Sequence, residues 1–360
     1  MTTNSVKNKK KQALFLYLEP AGYVEACLKR TVDTYEVDAH VVRYPLDPNA
    51  PFAFEQIEHI TYYDRSKFEG EKLDALIAEI HPDFIFCNGW IDKGYVNATK
   101  KYSGKIPTVL SFDNLWEGKL KQHVASFTAP FVLPKIFSHC WVPGDPQVVY
   151  AKKLGFKENV IFTGMYSANF DLFNTYYNHL KEQKEKSFPK RIIFVGRYIA
   201  IKGIRELWQA FAQLHDEMPN EWELWCLGKG PLDNEFPSHH KIKNVGFVQP
   251  KEFESYLAQT GVFILPTYDE HWGVVVHEFA IAGYPLILST KAPAGTAFLI
   301  EGENGFYHEP KNIESIKNVL KKIIALPDEK LAAMGQKSHE LSKCMTPDTW
   351  ASTVWTILNK

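Results

Sequence analysis

The 360-residue chain contains no window of roughly 18 consecutive apolar residues, and no apolar segment of about 7–15 residues follows its polar start MTTNSVKNKKKQ. Neither a membrane span nor a secretion signal is expected. Charge of one sign is not in surplus: 41 Lys plus Arg face 42 Asp plus Glu, a net of -1, and each half of the chain is close to balance. A duplex nucleic-acid binder needs a basic surplus to neutralise phosphates, so nucleic acid is not an expected partner. Cysteine is scarce. Cys27, Cys87, Cys140, Cys226 and Cys344 are odd in number, widely spaced and without a C-x2-C pair, which fits reduced thiols packed in cores and a cytoplasmic location. The chain also lacks G-x-G-x-x-G, a P-loop, G-x-S-x-G and H-E-x-x-H, which argues against dehydrogenase, kinase, hydrolase and zinc-protease chemistry.

What is present is a folded, multi-domain composition. The apolar share of 45% and charged share of 23% are those of a globular protein, and the length suggests two to three domains at roughly 150 residues each. From Gln12 onward, short apolar runs alternate with amphipathic ones, the pattern of strands and helices around a parallel sheet. Runs such as ALFLYL (13–18) and DFIFCNG (83–89) are apolar on both faces, as buried parallel strands are. The polar stretch from Asn174 to Lys190 reads as a linker, after which RIIFVGR (191–197) restarts the alternation. The expectation is α/β: two Rossmann-like, doubly wound domains, 1–173 and 191–345, with a final segment 346–360 whose Trp350, Val354 and Ile357 share a helix face. The basic run Lys7 to Lys11 reads as a solvated tail or as a membrane-surface anchor.

In open α/β sheets ligands bind beyond the carboxyl ends of strands, and two such domains would place a site in the cleft between them. Three strand ends of the second half carry candidate residues. In VGRYIAIKG, Gly196 permits a close turn, while Arg197 and Lys202 offer two cations suited to a diphosphate, or serve as ordinary solvated charges. LGKGPL places Gly228 and Gly230 around a lysine, either a ligand-approaching turn or a plain β-turn. In PTYDEHWGVVVHEF, a helix starting near Gly273 would aim the N–H groups of Gly273, Val274 and Val275 at an anion. Glu270 and Glu278 flank that start, and paired carboxylates beside a phosphate cradle suit sugar hydroxyls, since a carboxylate only accepts hydrogen bonds. The alternative is two acids favoured by the helix dipole. His139, His239 and His240 read as surface or core groups rather than ligands.

The ordered combination of V-G-R with K-G, G-x-G-P and E-x7-E, running from Arg191 to GENGF (302–306), resembles the second domain of GT-B glycosyltransferases, in particular the retaining family 4 enzymes. The resemblance implies a GT-B fold, with two Rossmann-like domains facing across a cleft, acceptor in the first and nucleotide-diphosphate sugar, UDP- or GDP-linked, in the second. It implies that Arg197 and Lys202 hold the donor diphosphate, Glu270 the sugar hydroxyls and Glu278 the ribose hydroxyls, with 273–275 lining the phosphate. It also implies that the final helix crosses back to the first domain, the alternative being a final helix on the second. Family members often carry a Gly-Gly turn after the first strand; here Glu19-Pro20-Ala21-Gly22 leaves Gly22 for close approach. Many carry a His where this chain reads LSFDN, so Asp113 is taken as the polar group beside the donor sugar.

No D-x-D triplet occurs, and a cationic pair with a helix N-terminus can do the electrostatic work of a metal, so no metal and no cofactor are expected. The reading is a hexosyltransferase-type enzyme acting on a glycan, lipid-linked or small-molecule acceptor. A GT-B sugar-nucleotide epimerase and a non-catalytic sugar-nucleotide-binding subunit are the alternatives. Residues 114–137 mix Trp116, Phe127, Phe131, Val132, Leu133 and Phe137 with Lys119, Lys121 and Lys135 and hold a single acid, Glu117. They read as a surface for peripheral contact with anionic lipid, or as the inner face of a helix broken at Pro130 and Pro134.

Overall fold

The computed structural model describes residues 10–18, 20, 22–45 and 55–360. Lys7 and Lys9 of the basic run, and Glu19 and Ala21 of the first loop, lie outside the described residues. The chain divides into two compact units, Met1–Ser167 with Met345–Lys360, and Ala168–Cys344.

The first unit is built on a parallel sheet of seven described strands: β1 (Lys11–Tyr17), β2 (Val37–Arg43), β3 (Ile60–Asp64), β4 (Phe84–Asn88), β5 (Thr108–Ser111), β6 (His139–Trp141) and β7 (Ile161–Phe162), in the order 3-2-1-4-5-6-7. The continuous apolar runs have a simple cause: both faces of the sheet are covered. Leu14, Leu16, Ile85, Cys87 and Leu110 face one core, while Ala13, Phe15, Phe84, Phe86 and Val109 face the other, the two-residue alternation of a strand. The second core is closed by the last helix, Pro347–Leu358, whose Trp350, Val354 and Ile357 are buried. Trp350 stacks on Phe15 and donates its indole N–H to the Met165 carbonyl at 3.0 Å. Thr346 and Thr349 cap that helix reciprocally, satisfying two of its orphan donors.

The second unit carries β8 (Arg191–Val195), β9 (Glu223–Leu227), β10 (Ile242–Gly246), β11 (Val262–Leu265), β12 (Leu286–Ser289) and β13 (Gly305–His308), all parallel, in the order 10-9-8-11-12-13. The expected linker is a correction. Residues 174–190 fall mostly within a 17-residue helix, Phe170–Lys186, capped by Asn169. Its Phe173, Tyr176 and Leu180 are buried at helical spacing, so a polar composition concealed one narrow apolar stripe. The boundary falls between Ser167 and Ala168, and that helix belongs wholly to the second unit. A further helix there, Asp328–Ser342, follows Pro327 and went unanticipated.

Four cysteines, Cys27, Cys87, Cys140 and Cys226, are buried and free, and burial pushes their thiols up, away from the reactive thiolate. Among the described residues, no helix is long and apolar enough to cross a membrane.

Candidate active site

Sheet order in the second unit decides where a ligand can sit. From β8 the chain moves outward to β9 and β10, then returns to the other side of β8 as β11, so β8 and β11 form the topological switch point. Their carboxyl ends carry the motif residues.

The loop after β8 is rooted by Tyr198, which is buried and donates its hydroxyl to the Cys226 carbonyl at 2.8 Å. This anchoring leaves Arg197 pointing out. Its side chain is exposed, and the guanidinium has no partner among the described residues. Gly196 and Tyr198 donate their backbone N–H groups to the carbonyls of Leu227 and Lys229, stitching the β8 loop to the loop after β9. The two loops cross so closely that a Cβ on Gly228 would lie 1.9 Å from the Gly196 oxygen, and one on Gly230 would lie 2.5 Å from the Tyr198 oxygen. The G-x-G pair therefore has a packing task that composition could not reveal: it lets the Arg197 loop pass.

Lys202 closes a short 3-10 turn, Ala200–Lys202, followed by Gly203 at φ +66°. The Ile201 carbonyl accepts from the Tyr268 N–H and the Thr267 hydroxyl, both at 3.0 Å, which fastens this turn onto the loop after β11. Any side chain at 203 would drive its Cβ to 2.2 Å from the Pro266 oxygen, so K-G is the form that lets the lysine reach that loop. Lys202 Nζ lies 2.5 Å from Glu270 Oε2, with both side chains mostly shielded. The resemblance assigned these two to different ligand groups, and here they hold each other.

Gly273, at φ +96°, opens the helix Val274–Ile281, and no side chain caps it. Its first N–H groups are thus left for an anion, as expected for unsatisfied helix starts. Glu278 sits about one turn further on and is half-buried. Its carboxylate has no hydrogen-bond or ion-pair partner among the described residues, and burial pushes it up to about 7. One positioning residue escaped sequence reading. His277 is buried and stacks on Phe298 at 4.3 Å, its Nδ1 accepts from the Ala168 N–H at 3.1 Å, and its Nε2 donates to the Ser342 carbonyl at 3.0 Å. Burial lowers it to about 4, so the ring is neutral and can play both roles. With both nitrogens engaged, the rotation of the helix that carries Glu278 is fixed. No spacing rule would have found it, because its partners lie 109 and 65 residues away.

The two first-unit candidates stand at strand ends of their own sheet. Gly22 is the first residue of the helix Gly22–Thr34 after β1. Asp113 lies just beyond β5 and is half-buried; its Oδ2 accepts from the Tyr166 hydroxyl at 3.1 Å.

Among the described residues, one group could approach metal-ligand geometry: His215, Asp216 and His239, with ligand atoms within 4.8 Å of one another. His239 Nδ1 accepts from the Lys241 N–H, which places the ring proton on Nε2, the nitrogen nearer Asp216. That tautomer opposes coordination through Nε2.

Two doubly wound parallel-sheet units, one with cations and carboxylates gathered at its switch point, define the GT-B class of fold. Residues 177–341 match the family Glycosyl transferases group 1. An uncharacterized glycosyltransferase of Methanocaldococcus jannaschii is 26% identical over 319 residues, covering 78% of each chain. Among solved structures, sucrose-phosphate synthase from Thermosynechococcus elongatus has a TM-score of 0.72 at 19% identity, over 97% of this chain and 98% of that one. HepE of Anabaena, solved in complex with UDP-glucose, has a TM-score of 0.71 at 16% identity, over 97% and 99%. At those identities the structures speak for fold. The second unit carries a group 1 glycosyl transferase domain, and the chain is a glycosyltransferase of GT-B type.

Proposed function

We propose that the chain transfers a hexose from a nucleotide-diphosphate sugar, UDP- or GDP-linked, to a hydroxyl of a glycan, lipid-linked or small-molecule acceptor, with retention and without metal or cofactor. The observation that carries the donor reading is Glu278: a half-buried carboxylate without a partner among the described residues, beside a helix start that no side chain caps. A ribose diol and a diphosphate are the two halves of one ligand that would satisfy both. HepE, a structural neighbour, was solved with UDP-glucose, which agrees with this choice of donor.

In the proposed reaction the bond from the anomeric carbon to the phosphate oxygen breaks, and its electron pair stays on the diphosphate. Arg197, Lys202 and the N–H groups from Gly273 to Val275 stabilise that growing charge more than they stabilise the ground state. The acceptor oxygen bonds to the same face of the anomeric carbon, and its proton passes to the departing phosphate oxygen. No dedicated protein base is required. Glu270 exchanges Lys202 for donor sugar hydroxyls, which releases the lysine to the phosphate. Asp113 is the proposed polar group beside the donor sugar, and Gly22 permits close approach, with Gly196, Gly228 and Gly230 shaping the donor loops. The enzyme would work in the cytoplasm, at the inner face of a membrane.

A screen of UDP- and GDP-sugars by thermal shift tests the donor reading. A true donor at about 100 times its Kd should add roughly 2.7 kcal/mol of stability. Absence of any shift across both nucleotide series would overturn it. Radiolabelled donor then separates the enzymatic readings: free nucleotide marks transfer, whereas an altered sugar still attached to nucleotide marks an epimerase.

A further inference from the structure

The helix Leu120–Thr128 in the first unit is packed inside out. None of its residues is buried. Small side chains, Ala125 and then Ala129, meet the core, whereas the large apolar ones point away. Leu120 is 80% exposed, Val124 58% and Phe127 77%, and the row continues through Phe131 at 68% and Val132 at 52%. Positions 120, 124, 127 and 131 repeat at helical spacing, so they form one stripe. Of the six apolar residues that sequence left open as an inner helix face, Leu133 and Phe137 alone are buried. A row of bulky side chains held in water by a helix seated on alanines calls for a covering surface.

The charge around the stripe says which surface. The segment that carries the stripe, residues 114–137, holds Lys119, Lys121 and Lys135 against a single acid, Glu117, in a chain whose overall net charge is -1. That acid is ion-paired with Lys119 at 2.6 Å. Lys121 and Lys135 are exposed beside the stripe. The end of the helix Asp145–Lys153 joins the rim: Gly155 abuts Pro130 so tightly that a Cβ there would lie 2.6 Å from the Pro130 Cα, and Lys153 Nζ stands 4.4 Å from the centroid of the Trp116 ring. A second copy of this face would bring lysine against lysine. Anionic headgroups complement the lysines while the acyl boundary takes the phenylalanines.

We propose that the stripe Leu120, Val124, Phe127 and Phe131, with its lysine rim, is the element by which the protein rests on an anionic lipid bilayer. This deepens the membrane reading given above and does not depend on the donor chemistry. On such a surface the helix lies in the plane of the interface, its phenylalanines below the headgroups and its alanines against the protein. The salt dependence follows, because exposed charges are screened over about 10 Å at 0.1 M salt.

Vesicle flotation of the full chain provides the test, with phosphatidylcholine vesicles containing phosphatidylglycerol set against phosphatidylcholine alone. The parent should co-float with the anionic vesicles at low salt and be released at high salt. Phe127→Ser and Phe131→Ser should each weaken binding roughly tenfold, the scale of burying one large apolar side chain. Lys121→Glu with Lys135→Glu should weaken binding and flatten its salt dependence. Circular dichroism on each variant confirms that it is folded, as expected for exposed positions. Donor turnover on a soluble acceptor should be the same in the Phe variants as in the parent, so a failed donor assignment and a failed lipid assignment give different results. Parent protein that stays with the unbound fraction on anionic vesicles overturns the proposal. So does self-association in the absence of vesicles that the Phe variants abolish, which would make the stripe a contact between copies.

Discussion

Each unit holds an ion pair at the carboxyl ends of its strands, and the two are built to opposite ends. Arg65 follows β3 and reaches Asp92 through Nε at 3.0 Å and Nη2 at 3.2 Å, while Nη1 donates to the Phe68 carbonyl. Asp92 also accepts from the N–H groups of Gly94 and Tyr95 and from the Tyr44 hydroxyl. Burial works against the carboxylate, yet hydrogen bonds from Arg65 and Tyr44 hold it below its ordinary range. Lys202 and Glu270, by contrast, share a single contact, and among the described residues Arg197 in the neighbouring loop and Glu278 on the next helix have no partner. A pair whose three guanidinium nitrogens and two carboxylate oxygens are all engaged has little to offer a ligand. A pair with one contact can be opened by a ligand that gives each partner something better, and that difference separates a structural ion pair from a site.

Breaking the saturated pair should have the largest effect, and on stability. Arg65→Ala strands a buried carboxylate, and urea denaturation should show a loss of about 3–5 kcal/mol. Lys202→Ala should leave the urea midpoint near that of the parent. A comparable loss at both sites would erase the distinction drawn here.

The next effect belongs to turnover. Arg197→Ala and Lys202→Ala should each reduce kcat by roughly 10²–10³, the scale of one donor to transition-state charge, with the fold unchanged by circular dichroism. Near-parental kcat in either variant would remove that residue from the diphosphate.

The two carboxylates can then be set against each other. Glu278→Gln should weaken binding of the nucleotide diphosphate product about tenfold, the scale of one hydrogen bond to a charged group. Glu270→Gln should spare product binding and lower the chemical step. Calorimetry that finds both variants binding product like the parent would contradict the ribose role of Glu278.

The last expected effect is one of pH. Burial raises the Glu278 carboxyl from an ordinary value near 4.5 to about 7, so between those values the folded state binds the extra proton. Stability contributed by that protonated form is complete below the unfolded value and is lost as pH rises through the folded one. Glu278→Gln, which cannot ionise, should therefore melt above the parent at about pH 8 and level with it at about pH 4. Ligand binding runs the other way: hydroxyls donate best to the ionised form, so product affinity should fall as pH drops through about 7, and Glu278→Gln should be flat. A parent and variant with parallel melting profiles would place the ionisation elsewhere.

The order of the strands, the strand ends that bear Arg197, Lys202, Glu270 and Glu278, and the apolar face of the last helix could all be read from the chain alone. Those features are local: periodicity reports burial on a face, and glycine beside a charged residue at a strand end reports a turn. Tertiary structure decided what each local feature meets. The Phe170–Lys186 helix looked like a linker because its stripe is narrow, and packing assigned it to the second unit. Gly228 reads as a flexible turn until the Gly196 loop is seen crossing it, and His277 reads as one residue among apolar neighbours until Ala168 and Ser342 are brought to its two nitrogens. At 120–131 the sequence contained the apolar stripe, but a pattern along one helix specifies a face and not its direction. That direction depends on which side chains let the helix sit closest to its neighbours, and here the alanines took the inner side.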